Sequence, residues 1–183
     1  MSPTLIVILV IAVLVIIGIA MMAVRSRQRD RLKEHFGAEY EHQVEAAGGS
    51  KAKADSELLK REKRVEKLEI RPVPPRERDA FAEEWQRVQA RFVDDPERSI
   101  ALADALVAEV MKARGYPVQD FEQRAADISV EHPKVVENYR AAHEIAVRHS
   151  RGSAGTEDLR NALLGYRALF DELLGTQQPE LAH

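Results

Sequence analysis

Residues Leu5 to Val24 form an unbroken run of twenty residues with no charged or polar side chain. A helix of about 20 residues rising ~1.5 Å each spans the ~30 Å hydrocarbon core of a bilayer, and it satisfies its own backbone hydrogen bonds there. The run therefore predicts one membrane-spanning anchor and makes the lipid bilayer the first expected partner. A core helix of a soluble domain rarely lacks a polar face over such a length. A cleaved secretory signal is the main rival. It calls for a charged start, an apolar stretch of about 7–15 residues and a small-residue cleavage site. Here Met1 to Thr4 carry no side-chain charge, and Ala20-Met21-Met22-Ala23 puts a bulky residue where a small one belongs.

Arg25, Arg27, Arg29, Arg31 and Lys33 follow the run at once, opposed only by Asp30. Basic residues beside a membrane segment tend to stay cytoplasmic. The expectation is a single-pass protein of the inner (plasma) membrane, with its N-terminus outside and the remainder in the cytoplasm. The same five side chains are candidate membrane-surface contacts, each able to contribute about 1 kcal/mol against anionic lipid. Residues 34–183 carry 22 basic and 29 acidic side chains. An acidic body is a poor match for nucleic acid, so that class of partner is set aside. There is no cysteine, which excludes disulfides, thiolate metal sites and a cysteine nucleophile. Arginine outnumbers lysine 19 to 8, a bias typical of GC-rich bacterial coding.

From Asp30 to Ile70 the chain is charged and helix-prone. Tyr40, Val44, Ala47, Ala54, Leu58, Val65 and Leu68 recur in heptad-like steps, with Lys51 and Arg61 intruding on the seam. Gly48-Gly49-Ser50 interrupts the pattern. Two stalk helices, near 27–47 and 51–69, with solvated salt-bridge faces are predicted, and their thin seam leaves self-association through the stalk open. Pro72, Pro74 and Pro75 then forbid helix and mark a stiff linker over 71–75.

Amphipathic helices follow. Phe81, Trp85, Val88 and Phe92 fall on one face of a helix near 76–92. Asp95-Pro96-Glu97 starts a second helix, near 96–114, which Gly115-Tyr116-Pro117 ends. A third begins at Asp120, and His132-Pro133 divides it from a longer continuation. Thr156-Glu157-Asp158 is expected to cap the last helix, and Gly175 stops it, with a frayed tail over 176–183. No stretch alternates like a strand. The predicted class is all-α: an N-terminal transmembrane helix (1–24), a basic collar and charged helical stalk (25–70), a proline linker (71–75) and a compact bundle of four or five helices (76–175).

Catalytic patterns are sparse. Glu39-x-x-His42 has di-iron spacing but lacks the second pair and the further glutamates such sites need, so solvated side chains are expected. Asp94-Asp95 reads as a helix cap, because it lacks the alternating oxygens and glycine of a calcium loop. No phosphate-cradling loop, zinc-protease helix or nucleophile elbow occurs. No cofactor or metal is implied. His143 lies on an apolar face with Tyr139, one turn from Ala146 and Val147. A buried histidine satisfied by a carbonyl, a carboxylate or a tyrosine hydroxyl is expected. A catalytic role would need Asp127 or Glu131 within hydrogen-bonding distance. Tyr139, Arg140 and His143 are accordingly the candidate pocket. The Phe81, Trp85 and Phe92 stripe reads as core, with a partner-helix groove as its alternative.

The segments Phe92-Val93-Asp94-Asp95-Pro96, Arg114-Gly115-Tyr116-Pro117 and Tyr166-Arg167-Ala168-Leu169-Phe170 resemble those of a family of small, actinobacterial-type membrane or secreted proteins. Glu62-Lys63-Arg64 and Asn138-Tyr139-Arg140-Ala141-Ala142-His143 extend the likeness, which runs from about Phe36 to Leu174. The resemblance implies one membrane helix and a soluble helical part, and no activity. The expected function is a non-catalytic, membrane-tethered scaffold or adaptor for another protein. A membrane-bound enzyme or ligand-binding bundle using Tyr139, Arg140 and His143, and a homo-oligomer built through the stalk, are the alternatives.

Overall fold

The structure, a computed structural model, describes residues 3–175, with side chains from residue 11 onward. The expected tail at 176–183 lies outside the described residues, as do the side chains of the first part of the apolar run. Among the described residues the chain is all-helical: α1 (Pro3–Phe36), α2 (Ala38–Ala46), α3 (Lys51–Val65), α4 (Pro75–Arg91), α5 (Pro96–Arg114), α6 (Phe121–Glu131), α7 (Pro133–Ser150) and α8 (Thr156–Leu174).

Local chemistry explains most of these boundaries. Asp95 caps α5 by accepting a hydrogen bond from the Arg98 amide at 3.1 Å, and Pro96 occupies the first turn, where no amide is needed. Gly115 ends α5 in the left-handed region at φ 99°. A Cβ there would lie 2.5 Å from the Glu69 carbonyl oxygen, so close approach as well as backbone conformation demands glycine. Asp120 caps α6, and Pro133 forces the break at His132. The start of α8 differs from expectation. Gly155, not Thr156, is the capping residue, and Asp158 reaches back to accept from the Gly155 amide at 2.9 Å. Of the triplet expected to cap the helix, Asp158 is the residue whose side chain makes a capping contact.

Helices α4 to α8 share one apolar core with Val73 and Tyr116, holding Trp85, Leu106, Met111, Ile128, Tyr139, Tyr166 and Phe170. Trp85 stacks on Phe170 with ring centroids 4.7 Å apart, while Phe81 and Phe92 pack against the same core. The aromatic stripe of α4 is therefore core. Helix α7 meets α8 at Gly165, where a Cβ would fall 2.6 Å from the Asn138 carbonyl oxygen and 3.0 Å from the Ala142 Cβ.

The first seventy residues depart most from expectation. The apolar helix does not stop where the apolar run ends but continues unbroken to Phe36, a rod of about 50 Å at helical rise. Gly37, at φ 53°, then turns the chain into α2. Leu32, Phe36, Tyr40 and Leu58 are buried together in a second apolar core, with Val44, Leu59 and Val130 packed against it. Ala54 and Val65 are buried as well, so the heptad-like seam is spent within the chain. Residues 71–74 run as an extended strap, whereas Pro75, expected to forbid helix, opens α4 at its first position, where no amide is needed. Val73 is buried in the main core, and the Arg71 amide donates to the Arg114 carbonyl at 2.9 Å.

Thermal unfolding of the full chain in detergent checks two of these points. Gly165→Ala must force α7 from α8, with an expected cost of about 1–3 kcal/mol from overpacking. Asp95→Ala should cost about 1 kcal/mol through the lost cap.

Candidate functional site

Three candidate regions can be built up from their residues. The first is the junction of α1 with the rest of the chain. From Ile11 to Val24 the large apolar side chains of α1 are exposed, uncovered by any other element of the described chain. The basic collar divides into two groups. Arg29 pairs with Asp55 at 3.0 Å, and Arg31 pairs with Glu62 at 2.7 Å. Lys33 lies 3.9 Å from Glu41, with its ammonium 5.4 Å from the centre of the Tyr40 ring. These three hold α1 to α2 and α3. Arg25 and Arg27 make no hydrogen bond or ion pair among the described residues, and they stand where the apolar run ends. Tyr40 donates to Asp55 at 2.9 Å; burial and that carboxylate push its pKa to about 12, so it remains a neutral donor.

The second region is an ionic clamp. Glu39 is 2 % exposed, which corrects the expectation of a solvated stalk side chain. Its Oε1 accepts from Arg61 at 2.7 Å, and both of its oxygens accept from Arg140, at 2.9 and 3.0 Å. Arg61 also donates to Gln43. Burial opposes the Arg140 charge, but Glu39 and Glu122 outweigh it and hold the guanidinium pKa above its ordinary value. Arg64 similarly donates to the buried Asp127 at 2.8 Å. Helices α2 and α3 are thus pinned to α6 and α7 by charges whose desolvation is repaid only while all partners stay in place. His42 remains half-exposed, 4.0 Å from Glu39.

The third region is a cleft of about 330 Å³ between α5, α7 and α8, lined by Glu97, Ile100, Asp104, His143, Leu159 and Tyr166 among others. Within the predicted trio, Tyr139 and His143 come together and Arg140 does not. Arg140 faces Glu39 and Glu122. Tyr139 is buried and donates to Asp104 Oδ1 at 3.3 Å. His143 stacks face to face on Phe121, with centroids 3.6 Å apart and planes 8° from parallel. The expected carbonyl, carboxylate or hydroxyl partner of His143 is not found among the described residues. The flat ring of Phe121 takes that place, and the imidazole is half-buried at the cleft wall. Burial lowers its pKa below the ordinary histidine value. Asp127 and Glu131, the proposed acid partners, are engaged elsewhere: Asp127 by Arg64 and Gln123, Glu131 by Tyr116 and Arg114.

Asp104 organises this cleft, although nothing in the sequence reading singled it out. It accepts from Arg124 Nη2 at 3.0 and 3.3 Å as well as from Tyr139. One signal was present. Ile100, Asp104, Val107 and Met111 follow steps of 4, 3 and 4, which place an acid inside an apolar stripe. At the mouth, His149 Nδ1 donates to the Ala154 carbonyl at 2.8 Å, turning Nε2 toward Glu97 at 3.6 Å. Among the described residues no cluster of three or more potential metal ligands forms.

Two outcomes are expected. Glu39→Ala strands two buried guanidinium groups and should cost about 3–5 kcal/mol in thermal unfolding. His143→Gln should cost about 0.5–1.5 kcal/mol through the lost ring pair. It should also change the pH response. A histidine whose folded pKa is depressed stabilises the fold above its unfolded pKa of about 6.5 and loses that contribution as pH falls toward the folded value. Unfolding scans between about pH 7.5 and 5.5 should therefore show a smaller acid loss in the variant than in the native chain.

Comparison with known proteins adds no relative: no protein-family model matches the chain, and neither a curated protein nor a solved structure does.

Proposed function

We propose that this chain is a membrane-anchored, non-catalytic adaptor that holds a compact five-helix bundle, α4 to α8, at a fixed height and orientation on the cytoplasmic face of a bacterial inner membrane. The observation that carries the reading is the continuity of α1. By length and composition this helix is able to cross a membrane, and its far end lies in a buried core with Leu32 and Phe36. A spanning helix that ends in a flexible tether leaves its cargo free to tumble. One that ends inside the fold presents a chosen surface to partners near the bilayer.

The charge pattern supports the orientation. Among the described residues Arg25 and Arg27 have no hydrogen-bond or ion-pair partner, and they sit at the edge of the apolar run, where they can meet anionic headgroups and oppose translocation. The partner is another protein of the cytoplasm. Membership of the actinobacterial-type family of small membrane proteins belongs to the same proposal, resting on the sequence segments alone. The alternatives have less support. The stalk seam that a homo-oligomer would need is spent inside the chain. An enzyme built on Tyr139, Arg140 and His143 would need side chains that here diverge, since Arg140 turns to Glu39 and Tyr139 to Asp104.

Phosphatase and fluorescent reporters fused to the C-terminus test the topology in living bacteria. Fluorescence without phosphatase activity is expected. Phosphatase activity would overturn the orientation and move the search for partners to the cell envelope. In-cell photocrosslinking from exposed positions of the bundle should capture protein, and capture of lipid alone would count against an adaptor.

A further inference from the structure

The cleft between α5, α7 and α8 contains an unusual pairing of a shielded charge and an unused hydroxyl. Tyr166 is 1 % exposed and lines the cleft, yet its hydroxyl makes no hydrogen bond among the described residues. The hydroxyl is not sealed inside the core: Tyr166 lines the cleft, and a polar atom of a molecule seated there can pair with it. Tyr139 stands edge-on to Tyr166, with centroids 5.8 Å apart, and directs its own hydroxyl to Asp104. Two tyrosines of the same core thus differ in one respect: the Tyr139 hydroxyl has a partner among the described residues and the Tyr166 hydroxyl does not.

The lining selects the ligand's charge. Glu97 and Asp104 are carboxylates, and the Arg124 guanidinium, which donates to Asp104, does not itself line the cleft. Burial keeps His143 below its ordinary pKa, so at neutral pH it offers a lone pair rather than a positive charge. His149, the other imidazole of the lining, already faces Glu97 at 3.6 Å, and no lysine or arginine lines the cleft, so an anion would find two carboxylates there and no guanidinium or ammonium group to receive it. The remaining wall is apolar, supplied by Ile100, Ala146 and Leu159. A volume of about 330 Å³ is at the small end for ligand pockets, which run from ~300 to 1,000 Å³.

We propose that this cleft binds a small organic ammonium ion, its nitrogen held between the Tyr166 hydroxyl and the Asp104 carboxylate and its apolar body laid along Ile100 and Leu159. The site stands apart from the membrane junction and does not depend on the adaptor reading or on topology. It makes the folded part a receptor for a protonated amine.

Calorimetric titration of the full chain in lipid nanodiscs, with empty discs as reference, tests this using 2-phenylethylammonium and the isosteric neutral 2-phenylethanol. Saturable binding of the ammonium at least tenfold tighter than the alcohol is expected, as charge-assisted hydrogen bonds require. Tyr166→Phe removes one hydroxyl from a packed ring and should weaken the ammonium by about tenfold with an unchanged unfolding temperature. Ala101→Trp, at the exposed rim of the cleft, should block binding without touching the core. Equal affinity for the alcohol, binding that survives both substitutions unchanged, or no saturable heat beyond that of empty discs would each overturn the proposal.

Discussion

The carboxylate of Glu39, buried between the guanidinium groups of Arg61 and Arg140, is the contact on which the arrangement of the whole chain depends. It joins α2, α3 and α7, and through them it fixes the end of α1 to the helices that carry the main core. Taken alone such a triad is costly, because three charges leave water. Its value is geometric. Apolar side chains pack in many registers, but one carboxylate with two planar guanidinium partners tolerates few. Arg64 with Asp127 repeats the arrangement a turn further along α3.

Much of the fold was legible in the sequence because the signals are local. Asp95-Pro96 and Gly115 mark the two ends of α5, and His132-Pro133 separates α6 from α7, each within a few residues of the boundary it sets. The apolar faces of α4, α5 and α8 follow directly from spacing, and their residues fill one core. The first seventy residues misled because their partners are remote. Glu39 meets Arg140 across 101 positions and Arg64 meets Asp127 across 63, and no window of sequence reveals either. A stretch rich in charge reads as solvated unless its counter-ions are visible. The break at Gly37 was missed for a related reason, since the helical propensity on either side is continuous and the turn serves a tertiary contact.

The candidate site divides along the same line. Tyr139 and His143 were identified from one helix face, and they do meet at Phe121. Arg140, their sequence neighbour, points to a different part of the molecule, as successive residues on a helix must. Asp104 was not singled out, and Tyr166 was read as part of a helix's apolar face rather than of a site, because each lies in an otherwise apolar stripe. Their meaning comes from the convergence of α5 with α7 and α8, a property of packing rather than of spacing.

The unbroken passage of α1 into the second core gives the chain the mechanics of a rigid lever. With the apolar half in a bilayer, helix tilt adjusts to hydrocarbon thickness at a cost of fractions of a kcal/mol per Å. No hinge lies between that half and the buried Leu32 and Phe36, so any change in tilt swings the folded body through the same angle. Local membrane thickness would thereby become an orientation of α4 to α8, setting which of their surfaces faces the lipid and which faces the cell.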